Sequence, residues 1–467
     1  MIERTITWGP TYQEMLDPAT LPPEARQEAV RARGNDLAPA GLFGISWSDV
    51  HSGRVRVLRL PPELTGVEAN ILVLVGRDFP SGSLKVGPAY AAVMEAELDG
   101  RIRPGEATLV APTSGNFGIG MAYIARLKGY RALVLMPRGR SAERYERVGA
   151  YGAELELVDC EGGNLLPVLE LLRQRYEGQP GYLPLNQFAM MANYRFHRFV
   201  TGRSALDAAA GFGDGRVAAF VAAPGSAGTL AAGDEIKARF PDAAVVAVEP
   251  VECATLAGRG CGSHPVEGIA DGLVNLIHNV LNTDYVALVQ GDDCLRGLRV
   301  VQEGPGVLTR ILGVPEAAAH SLVGLFGPSS IANILGAIRT AAALGIAAGQ
   351  NIVTVAPDGF DRYPSTIAAL EESHPGLVDQ AVLRQWAAQV FRNAAAGPLY
   401  DLRTAQEKQR LFLQKENVWT RLGYGQEILE AMKSPSYWEG EAARVADYDR
   451  RLREAREQDH REDAKTV

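Results

Sequence analysis

The sequence predicts an α/β protein of two doubly wound domains, followed by a helical C-terminal extension. Three observations support this fold class. A length of 467 residues exceeds the needs of one small core. Short apolar runs alternate with helical segments between about residues 55 and 356, as in parallel β-α-β units buried on both faces. Beyond about residue 370 the strand signals stop and helical spacing takes over.

Composition and charge argue against several classes of protein. The apolar content of 46% and charged content of 22% are ordinary for a globular chain, and the net charge of −8 disfavours a general nucleic-acid binder. No apolar run approaches the roughly 20 residues that span a bilayer. The start, Met1-Ile2-Glu3-Arg4, lacks the basic and apolar regions of a signal peptide. We therefore expect a cytoplasmic protein that binds neither membrane nor nucleic acid.

The predicted organisation has four parts. Residues 1–45 are a proline-rich N-terminal arm. Residues 371–467 are the helical extension, which we interpret as a packing arm or a dimerisation element. Residues 46–90 and 201–370 form a large domain, with part of 46–90 placed where it can also pack on the small one. Residues 91–200 form a small mobile domain.

The individual elements follow in chain order. Strands are predicted at 55–60, 71–75, 107–111, 132–136, 154–158, 217–222, 244–249, 321–326 and 351–356. Helices are predicted at 90–99, 118–128, 141–150, 164–177, 229–240, 331–344, 383–390 and 402–416, with a charged helix or frayed tail at 441–467. Residues 178–201 break the alternation and predict a crossover between the domains.

One lysine stands out as a candidate nucleophile. The chain has only seven lysines among its 47 basic residues, and one of them, Lys85, lies in the turn Ser81-Gly82-Ser83-Leu84-Lys85 after the apolar run 71–75. Arginine keeps its proton in proteins, whereas a desolvated lysine can lose it and form a Schiff base. An arbitrary turn lysine is more often simply solvated. The scarcity of lysine and three later loops favour the functional interpretation.

Two glycine-rich loops each connect a predicted strand to a helix. The loop Thr113-Ser114-Gly115-Asn116-Phe117-Gly118 offers backbone N–H groups, hydroxyls and an amide that suit a substrate carboxylate, although an ordinary capped turn fits equally well. The loop Pro224-Gly225-Ser226-Ala227-Gly228-Thr229 suits a phosphate. It is neither a Walker loop nor a dinucleotide fingerprint. Two such loops facing one cleft are more informative than either alone.

A third loop, Gly327-Pro328-Ser329-Ser330, precedes an alanine-rich helix. A serine in this loop either caps the helix or donates a hydrogen bond to a heterocycle nitrogen. The sequence leaves both interpretations open.

Taken in order, these segments resemble the fold-type-II pyridoxal-phosphate enzymes, above all the cysteine synthase and cystathionine β-synthase group. Asn186-Gln187-Phe188, Gly268-Ile269-Ala270-Asp271-Gly272 and the segment 358–366 add to the resemblance, which covers about residues 50–370. It implies the tryptophan-synthase-β-like fold and pyridoxal 5'-phosphate as the cofactor.

The resemblance also implies roles for individual residues. Lys85 would hold the cofactor as an internal aldimine and move the substrate α-proton. Asn116 would bond the ring hydroxyl, and Ser329 the pyridine nitrogen. The phosphate would be bound by Gly225, Ser226, Ala227, Gly228 and Thr229. The substrate would be bound by Thr113, Ser114, Gly115, Asn116, Phe117 and Gln187.

Several positions depart from the pattern of the group. Val86-Gly87 replaces an Asp-Arg pair, Ser226-Ala227 a Thr-Gly pair, and Met190-Met191 an Asn-Pro pair. Phe117 stands where a threonine is common. Phe117 and the two methionines predict a narrower and more apolar pocket, which puts the usual substrate of the group in doubt.

The expected reaction is β-replacement on a 3-substituted L-alanine, an O-activated serine or a cysteine-like amino acid, through an aminoacrylate. A homodimer is implied by the resemblance. β-Elimination of the desulfhydrase or serine/threonine dehydratase type, which releases a 2-oxo acid and ammonia, shares the first steps and remains an alternative. A non-catalytic partner subunit or regulator that binds the cofactor is another. A dinucleotide-dependent oxidoreductase is disfavoured by the glycine spacing.

The remaining reactive side chains give weaker signals. His197 lies between Arg195 and Arg198 and is interpreted as a packed or solvated residue. The cysteines show no CxxC pair, so neither a metal site nor a disulfide framework is predicted. We expect them to be inert packing thiols; they are Cys160, Cys253, Cys261 and Cys294.

Overall fold

Strands and helices alternate through most of the chain in the computed structural model, which describes residues 6–35, 37–160, 164–258, 260–373 and 380–466. The first residues of the predicted arm and residues 374–379 of the predicted extension lie outside these ranges. The strands are β1 (Val57–Arg59), β2 (Asn70–Val75), β3 (Thr108–Pro112), β4 (Arg131–Pro137), β5 (Glu154–Val158), β6 (Tyr182–Pro184), β7 (Val217–Ala222), β8 (Ala244–Pro250), β9 (Cys253–Ala254), β10 (Gly260–Cys261), β11 (Tyr285–Val289), β12 (Asn351–Ala356) and β13 (Leu399–Asp401).

The α-helices surround these strands. Those before residue 374 are α1 (Tyr12–Leu16), α2 (Pro23–Arg31), α3 (Pro62–Thr65), α4 (Val86–Leu98), α5 (Asn116–Lys128), α6 (Ala142–Ala150), α7 (Leu166–Tyr176), α8 (Met191–Phe196), α9 (Gly202–Ala210), α10 (Ala231–Arg239), α11 (Gly291–Glu303), α12 (Pro305–Val307), α13 (Glu316–Ser321), α14 (Pro328–Leu344) and α15 (Pro364–Ser373). The later ones are α16 (Gln380–Ala387), α17 (Ala405–Arg421), α18 (Gln426–Ala431) and α19 (Pro435–Thr466).

The larger sheet has seven strands in the order β1-β2-β12-β7-β8-β11-β13. Its five central strands run parallel, whereas β1 and β13 pair antiparallel at the two edges. Every residue of β2 and β12 is buried. A parallel strand covered by helices on both faces has no solvent side, which explains why these strands appear in the sequence as unbroken apolar runs.

The smaller sheet has four parallel strands in the order β5-β4-β3-β6. Its strands come from residues 108–184, and those of the larger sheet come from 57–75 and 217–401. The two-sheet α/β fold class is therefore confirmed. The boundaries of the four predicted parts and the mobility of the small domain stay predictions.

The structure corrects the prediction of a strand at 321–326. The segment instead holds the end of α13 and a turn at Gly324, whose φ of +79° interrupts extended backbone. Pro315 and the alanines that follow favour a helix start here, and Leu322 and Phe326 are buried four residues apart. The predicted crossover at 178–201 also contains β6, a short edge strand paired with β3.

The C-terminal extension is mainly helical, as predicted, and it contacts both the larger sheet and the N-terminal arm. β13 joins the edge of the larger sheet, and α19 packs along the N-terminal arm, where the Asp449 carboxylate accepts from the amides of Tyr12 at 2.6 Å and Gln13 at 2.9 Å. Within the described parts of the chain, no helix reaches the length and apolar character that a bilayer crossing requires.

Candidate active site

Lys85 lies where the turn after β2 enters α4. The turn is held against the end of β12, because the Leu84 amide donates to the Pro357 carbonyl at 3.0 Å and the Ser83 hydroxyl donates to the same oxygen at 3.1 Å. The Nζ atom of Lys85 lies 3.3 Å from Oε1 of Gln187 and 3.1 Å from Oγ of Ser226. Lys85 is therefore brought together with one predicted substrate residue and one predicted phosphate residue.

The electrostatic setting of Lys85 makes its neutral form more accessible than in an exposed lysine. Burial lowers the pKa of this amine to about 8, and the nearby Asp271 carboxylate acts in the opposite direction. Burial also raises the pKa of Asp271. A lysine with such a pKa is partly deprotonated near neutral pH, as a nucleophile or proton acceptor must be.

The first glycine-rich loop follows β3 and opens α5 at Asn116. Gly115 has a φ of +155°, and a Cβ at this position would lie 2.5 Å from Cδ of the buried Arg144. The loop is thus shaped for glycine and held by the Arg144 guanidinium, which donates to the Ser114 carbonyl at 2.8 Å. Thr113 and Phe117 are buried and line the same cleft as Lys85.

The Asn116 side chain is fixed by two groups from beyond β12. Its amide donates to the Asp358 carboxylate, and its carbonyl accepts from Nε of Arg362 at 2.8 Å. Tyr363 donates to the same carboxylate at 2.6 Å. Burial raises the pKa of Asp358, whereas the charge of Arg362 lowers it. The amide orientation is therefore set before any ligand binds.

The second glycine-rich loop runs from the end of β7 to α10. The backbone is left-handed at Gly225, with φ of +47°, and at Ala227, with φ of +66°. A Cβ at Gly228 would lie 2.2 Å from Oδ1 of Asn193. Among the described residues, we find no acceptor for the amides of Ser226, Gly228 and Thr229. Such amides at the start of a helix form an anion site.

The two serines of the third loop have different surroundings. Ser330 accepts from the Gly327 amide at 3.3 Å and so belongs to the helix start. Ser329 lines the cleft instead, together with Asn333. Ser329 therefore shares a cleft with Lys85, and its contact with a pyridine nitrogen stays a prediction.

All of the loops that carry the predicted site residues open into one cleft. Its lining includes Leu84, Lys85, Thr113, Ser114, Asn116, Phe117, Gln187, Gly225, Ser226, Thr229 and Ser329. The other predicted residues, Gly115, Ala227 and Gly228, belong to the same loops but do not line it. This arrangement joins an amine, a helix start whose amides can bind an anion and a loop that offers hydroxyl and amide groups.

Several residues of this site were not assigned a role from the sequence. Asn193 donates from Nδ2 to Ser226 Oγ at 3.0 Å, and Asp271 and Glu267 line the cleft. In the sequence, the segments around Asp271 and Asp358 contribute only to the family resemblance, and neither carboxylate is assigned a role. His197 is packed, as expected, with its Nδ1 atom 2.9 Å from Thr201 Oγ1, and burial lowers its pKa.

A family model described as pyridoxal-phosphate dependent enzyme matches residues 53–358. The chain belongs to this family. The predicted cofactor and the predicted class of enzyme, one that acts at Cβ of an amino acid, are confirmed with it.

Members of the pyridoxal-phosphate family are similar to this chain in sequence and in structure. A cysteine synthase from Staphylococcus aureus (strain N315) is 33% identical over 318 residues, which cover 67% of this chain and 94% of the relative. The structure of O-acetyl serine sulfhydrylase isoform 3 from Entamoeba histolytica has a TM-score of 0.59 and 26% identity, and the match covers 76% of this chain and 96% of that one.

A hydrogen sulfide-producing enzyme from Fusobacterium nucleatum is also similar. Its structure gives a TM-score of 0.55 at 25% identity, and the match covers 68% of this chain and 88% of that one. These comparisons confirm the predicted resemblance to the cysteine synthase group.

The cleft fits pyridoxal phosphate on two observations. The amides of Ser226, Gly228 and Thr229 offer hydrogen-bond donors to a phosphate, and the residues that the structure describes supply no other acceptor for them. In the same cleft, the amine of Lys85 has a lowered pKa, as bonding to an aldehyde requires. An amine and an anion site in one cleft match the two ends of this cofactor.

Proposed function

We propose that the protein catalyses β-replacement on a 3-substituted L-alanine, an O-activated serine or a cysteine-like amino acid. One observation carries the proposal: Lys85, the loop 113–118 and the loop 224–229 converge on one cleft. The similarity to a cysteine synthase supports replacement as the reaction. Pyridoxal phosphate, when bound, withdraws electrons from Cα of the amino acid and so makes the loss of a group from Cβ possible.

Lys85 has two roles in this proposal. Its amine would bond the cofactor aldehyde, and as a free amine it would accept the proton from Cα of the amino acid. A pKa of about 8 leaves a usable fraction of the amine neutral, and the contacts with Gln187 and Ser226 keep it in the cleft. Asp271 raises the pKa of this amine and thereby adjusts how readily the proton returns.

The substrate carboxylate would be bound at the start of α5. We assign this role to the loop residues and the facing amide, namely Thr113, Ser114, Gly115, Asn116, Phe117 and Gln187. Asp358 and Arg362 hold the Asn116 amide in one orientation, so little ordering is left for substrate binding to accomplish. Phe117 is 1% exposed and gives this part of the cleft an apolar wall.

Apart from its aldehyde, the cofactor would be held by uncharged groups at its phosphate, its pyridine nitrogen and its ring hydroxyl. The phosphate is assigned to the loop residues at the start of α10, namely Gly225, Ser226, Ala227, Gly228 and Thr229. Ser329 is assigned to the pyridine nitrogen and Asn116 to the ring hydroxyl. A serine does not keep a proton on the nitrogen as an aspartate would, which favours elimination of a β-substituent over reactions through a long-lived carbanion.

β-Elimination without replacement is the second candidate. The similarity to a hydrogen sulfide-producing enzyme favours it, since release of sulfide from a thiol amino acid begins with the loss of a Cβ substituent. Both reactions use the same residues as far as that loss. They differ in whether a nucleophile or water completes the turnover.

Product analysis separates the two reactions. Holoenzyme is incubated with O-acetylserine, with and without sulfide, and cysteine and pyruvate are measured. We expect cysteine to form in the presence of sulfide with little pyruvate in its absence. Pyruvate and ammonia from either mixture would favour elimination. If no β-substituted alanine yields either product, the proposed function is wrong.

A homodimer and a cytoplasmic location stay predictions, supported by the resemblance to the cysteine synthase group and by the sequence. Sedimentation of the full chain over a range of concentrations tests the first, and fractionation of cells that produce it tests the second. A monomer at every concentration would contradict the dimer.

A further inference from the structure

Two cysteines face each other outside the proposed catalytic machinery. β9 and β10 pair antiparallel, with Cys253 directly opposite Cys261, and the two Sγ atoms lie 2.9 Å apart. Residues opposite each other on antiparallel strands have Cα atoms about 4.5–5.5 Å apart. That spacing falls within the roughly 4.4–6.8 Å that a disulfide spans. The register of β9 and β10 therefore places the two thiols within reach of a disulfide bond.

The same thiols contact the segment that carries Asp271. Cys253 Sγ lies 3.3 Å from the Ala270 carbonyl oxygen, so its single proton can be donated either to this oxygen or to Cys261. On the other side, a Cβ at Gly272 would lie 2.6 Å from Cys261 Sγ. Ala270 has a φ of +55°, which the surrounding contacts must hold in place. Asp271 lies between these two contacts and lines the cleft of Lys85.

The two thiols differ in access and in acidity. Cys253 is fully buried, whereas Cys261 is exposed. The hydrogen bond from Cys253 lowers the pKa of Cys261 to about 7, and the same contact, together with burial, raises the pKa of Cys253. The accessible sulfur is thus the more acidic of the two, which suits it to the first step of thiol–disulfide exchange.

We propose that Cys253 and Cys261 form a reversible disulfide that adjusts the active-site segment 270–272. The oxidant is a small organic disulfide. The Cys261 thiolate attacks one of its sulfurs and releases one thiolate. Cys253 then loses its proton and displaces the second thiolate. Two protein thiols are oxidised to one disulfide, and the organic disulfide is reduced to two thiols.

Formation of the Cys253–Cys261 disulfide changes the contacts of the segment 270–272 at both of its ends. Cys253 no longer has an S–H group to donate to the Ala270 carbonyl, and the bonded sulfur of Cys261 shifts relative to Gly272. Asp271 is carried by the same backbone and raises the pKa of Lys85. The disulfide is therefore expected to change the setting of Lys85, whichever reaction the enzyme catalyses.

The chemical part of the proposal is tested on the holoenzyme with oxidised glutathione. We expect the intact protein to lose two hydrogens, peptide mapping to link Cys253 with Cys261, and dithiothreitol to restore both thiols. The variant C160S, which changes a cysteine outside the pair, should form the same link, whereas C261S and C261A should not. Four free thiols after treatment, or a link to Cys160 or Cys294, would overturn the site.

The coupling to the active site has its own readouts. The absorbance of the bound cofactor and its dissociation constant are measured on the oxidised and reduced protein. We expect a reversible change of at least about twofold in that constant in wild type and C160S, and none in C261S. A disulfide that forms without altering either readout would refute the coupling. Because neither readout involves turnover, both outcomes are distinguishable from a failure of the proposed function.

Discussion

The Nζ atom of Lys85 lies 3.1 Å from the Oγ atom of Ser226, across a sequence separation of 141 residues. This contact joins the turn after β2 to the loop after β7. Both strands flank β12 in the larger sheet and run parallel to it. The carboxyl ends of parallel strands share one edge, so the loops that follow them meet there and form the proposed ligand site.

Lys85→Ala is expected to abolish covalent cofactor attachment, because alanine has no amine to bond the aldehyde carbon. Protein dialysed after incubation with pyridoxal phosphate should lose the colour of the cofactor, because only non-covalent contacts remain, and hydride reduction should leave no adduct on peptides containing position 85. Lys433→Ala, which removes a lysine in the C-terminal extension, serves as the control and should keep the colour and the Lys85 adduct. An adduct that persists in Lys85→Ala would contradict the assignment.

The acylation of Lys85 should rise with pH over a lower range than is usual for a lysine. Only the neutral amine reacts with an acylating reagent, so labelling rises with pH through the pKa, which burial lowers to about 8 for Lys85. In cofactor-free protein we expect a labelling midpoint near that pH. Lys433, whose pKa is raised by its hydrogen bond to Glu416, gives an internal comparison at higher pH.

Asp271→Asn should move the same midpoint further down. The Asp271 carboxylate raises the pKa of Lys85, so removing its charge lowers that pKa. Peptide mapping of labelled protein across a pH series measures the shift. A midpoint for Lys85 at or above that of Lys433, or an upward shift in the variant, is the result that this account does not allow.

Gly228→Ala should weaken cofactor binding. The added Cβ would lie 2.2 Å from Asn193 Oδ1 and 2.8 Å from His197 Cδ2, so the loop 224–229 must shift. We expect the Kd of pyridoxal phosphate to rise about tenfold or more, consistent with the ~1–3 kcal/mol cost of overpacking.

Gly149→Ala in α6 is the matched control for Gly228→Ala, since nothing lies within 4 Å of its added Cβ. The Kd of pyridoxal phosphate for Gly149→Ala should equal the Kd for the wild-type protein. Equal affinity in Gly228→Ala as well would argue against a phosphate at this loop. Fluorescence titration of cofactor-free protein provides the measurement.

Leu411→Ala should destabilise the protein through the C-terminal extension. Leu411 is 0% exposed on α17 and belongs to the main core, whereas Leu413 on the same helix is 51% exposed. Loss of a buried leucine side chain costs about 2–5 kcal/mol. The thermal unfolding midpoint should fall clearly in Leu411→Ala and stay near wild type in Leu413→Ala. Similar midpoints for both variants would show that the extension packs differently.

Much of the fold was predictable because buried parallel strands have a simple signal. The strands 154–158, 217–222 and 351–356 were predicted with the bounds that the structure shows. The wrong strand at 321–326 is also apolar, but in the described part of the chain it joins no sheet, and Gly324 turns the chain. Edge strands of three residues, such as β6 and β13, carry too few residues for a recognisable alternation.

The site was predictable where its residues follow one another in a loop. The residues that orient them come from distant segments. The Asn116–Asp358 hydrogen bond spans 242 positions, and Asn193 donates to Ser226 from α8. Only the folded chain brings such pairs together. The facing positions of Cys253 and Cys261 likewise depend on the register of β9 and β10.

The three-residue strand β13 has a practical consequence for work on this enzyme. A fragment trimmed to the matched region 53–358 would lack it, leaving the backbone groups of β11 without their outer partner. Unpaired strand edges of this kind recruit other chains. Such a shortened protein is expected to precipitate or form soluble aggregates, so expression and crystallisation of the catalytic region should retain the tail.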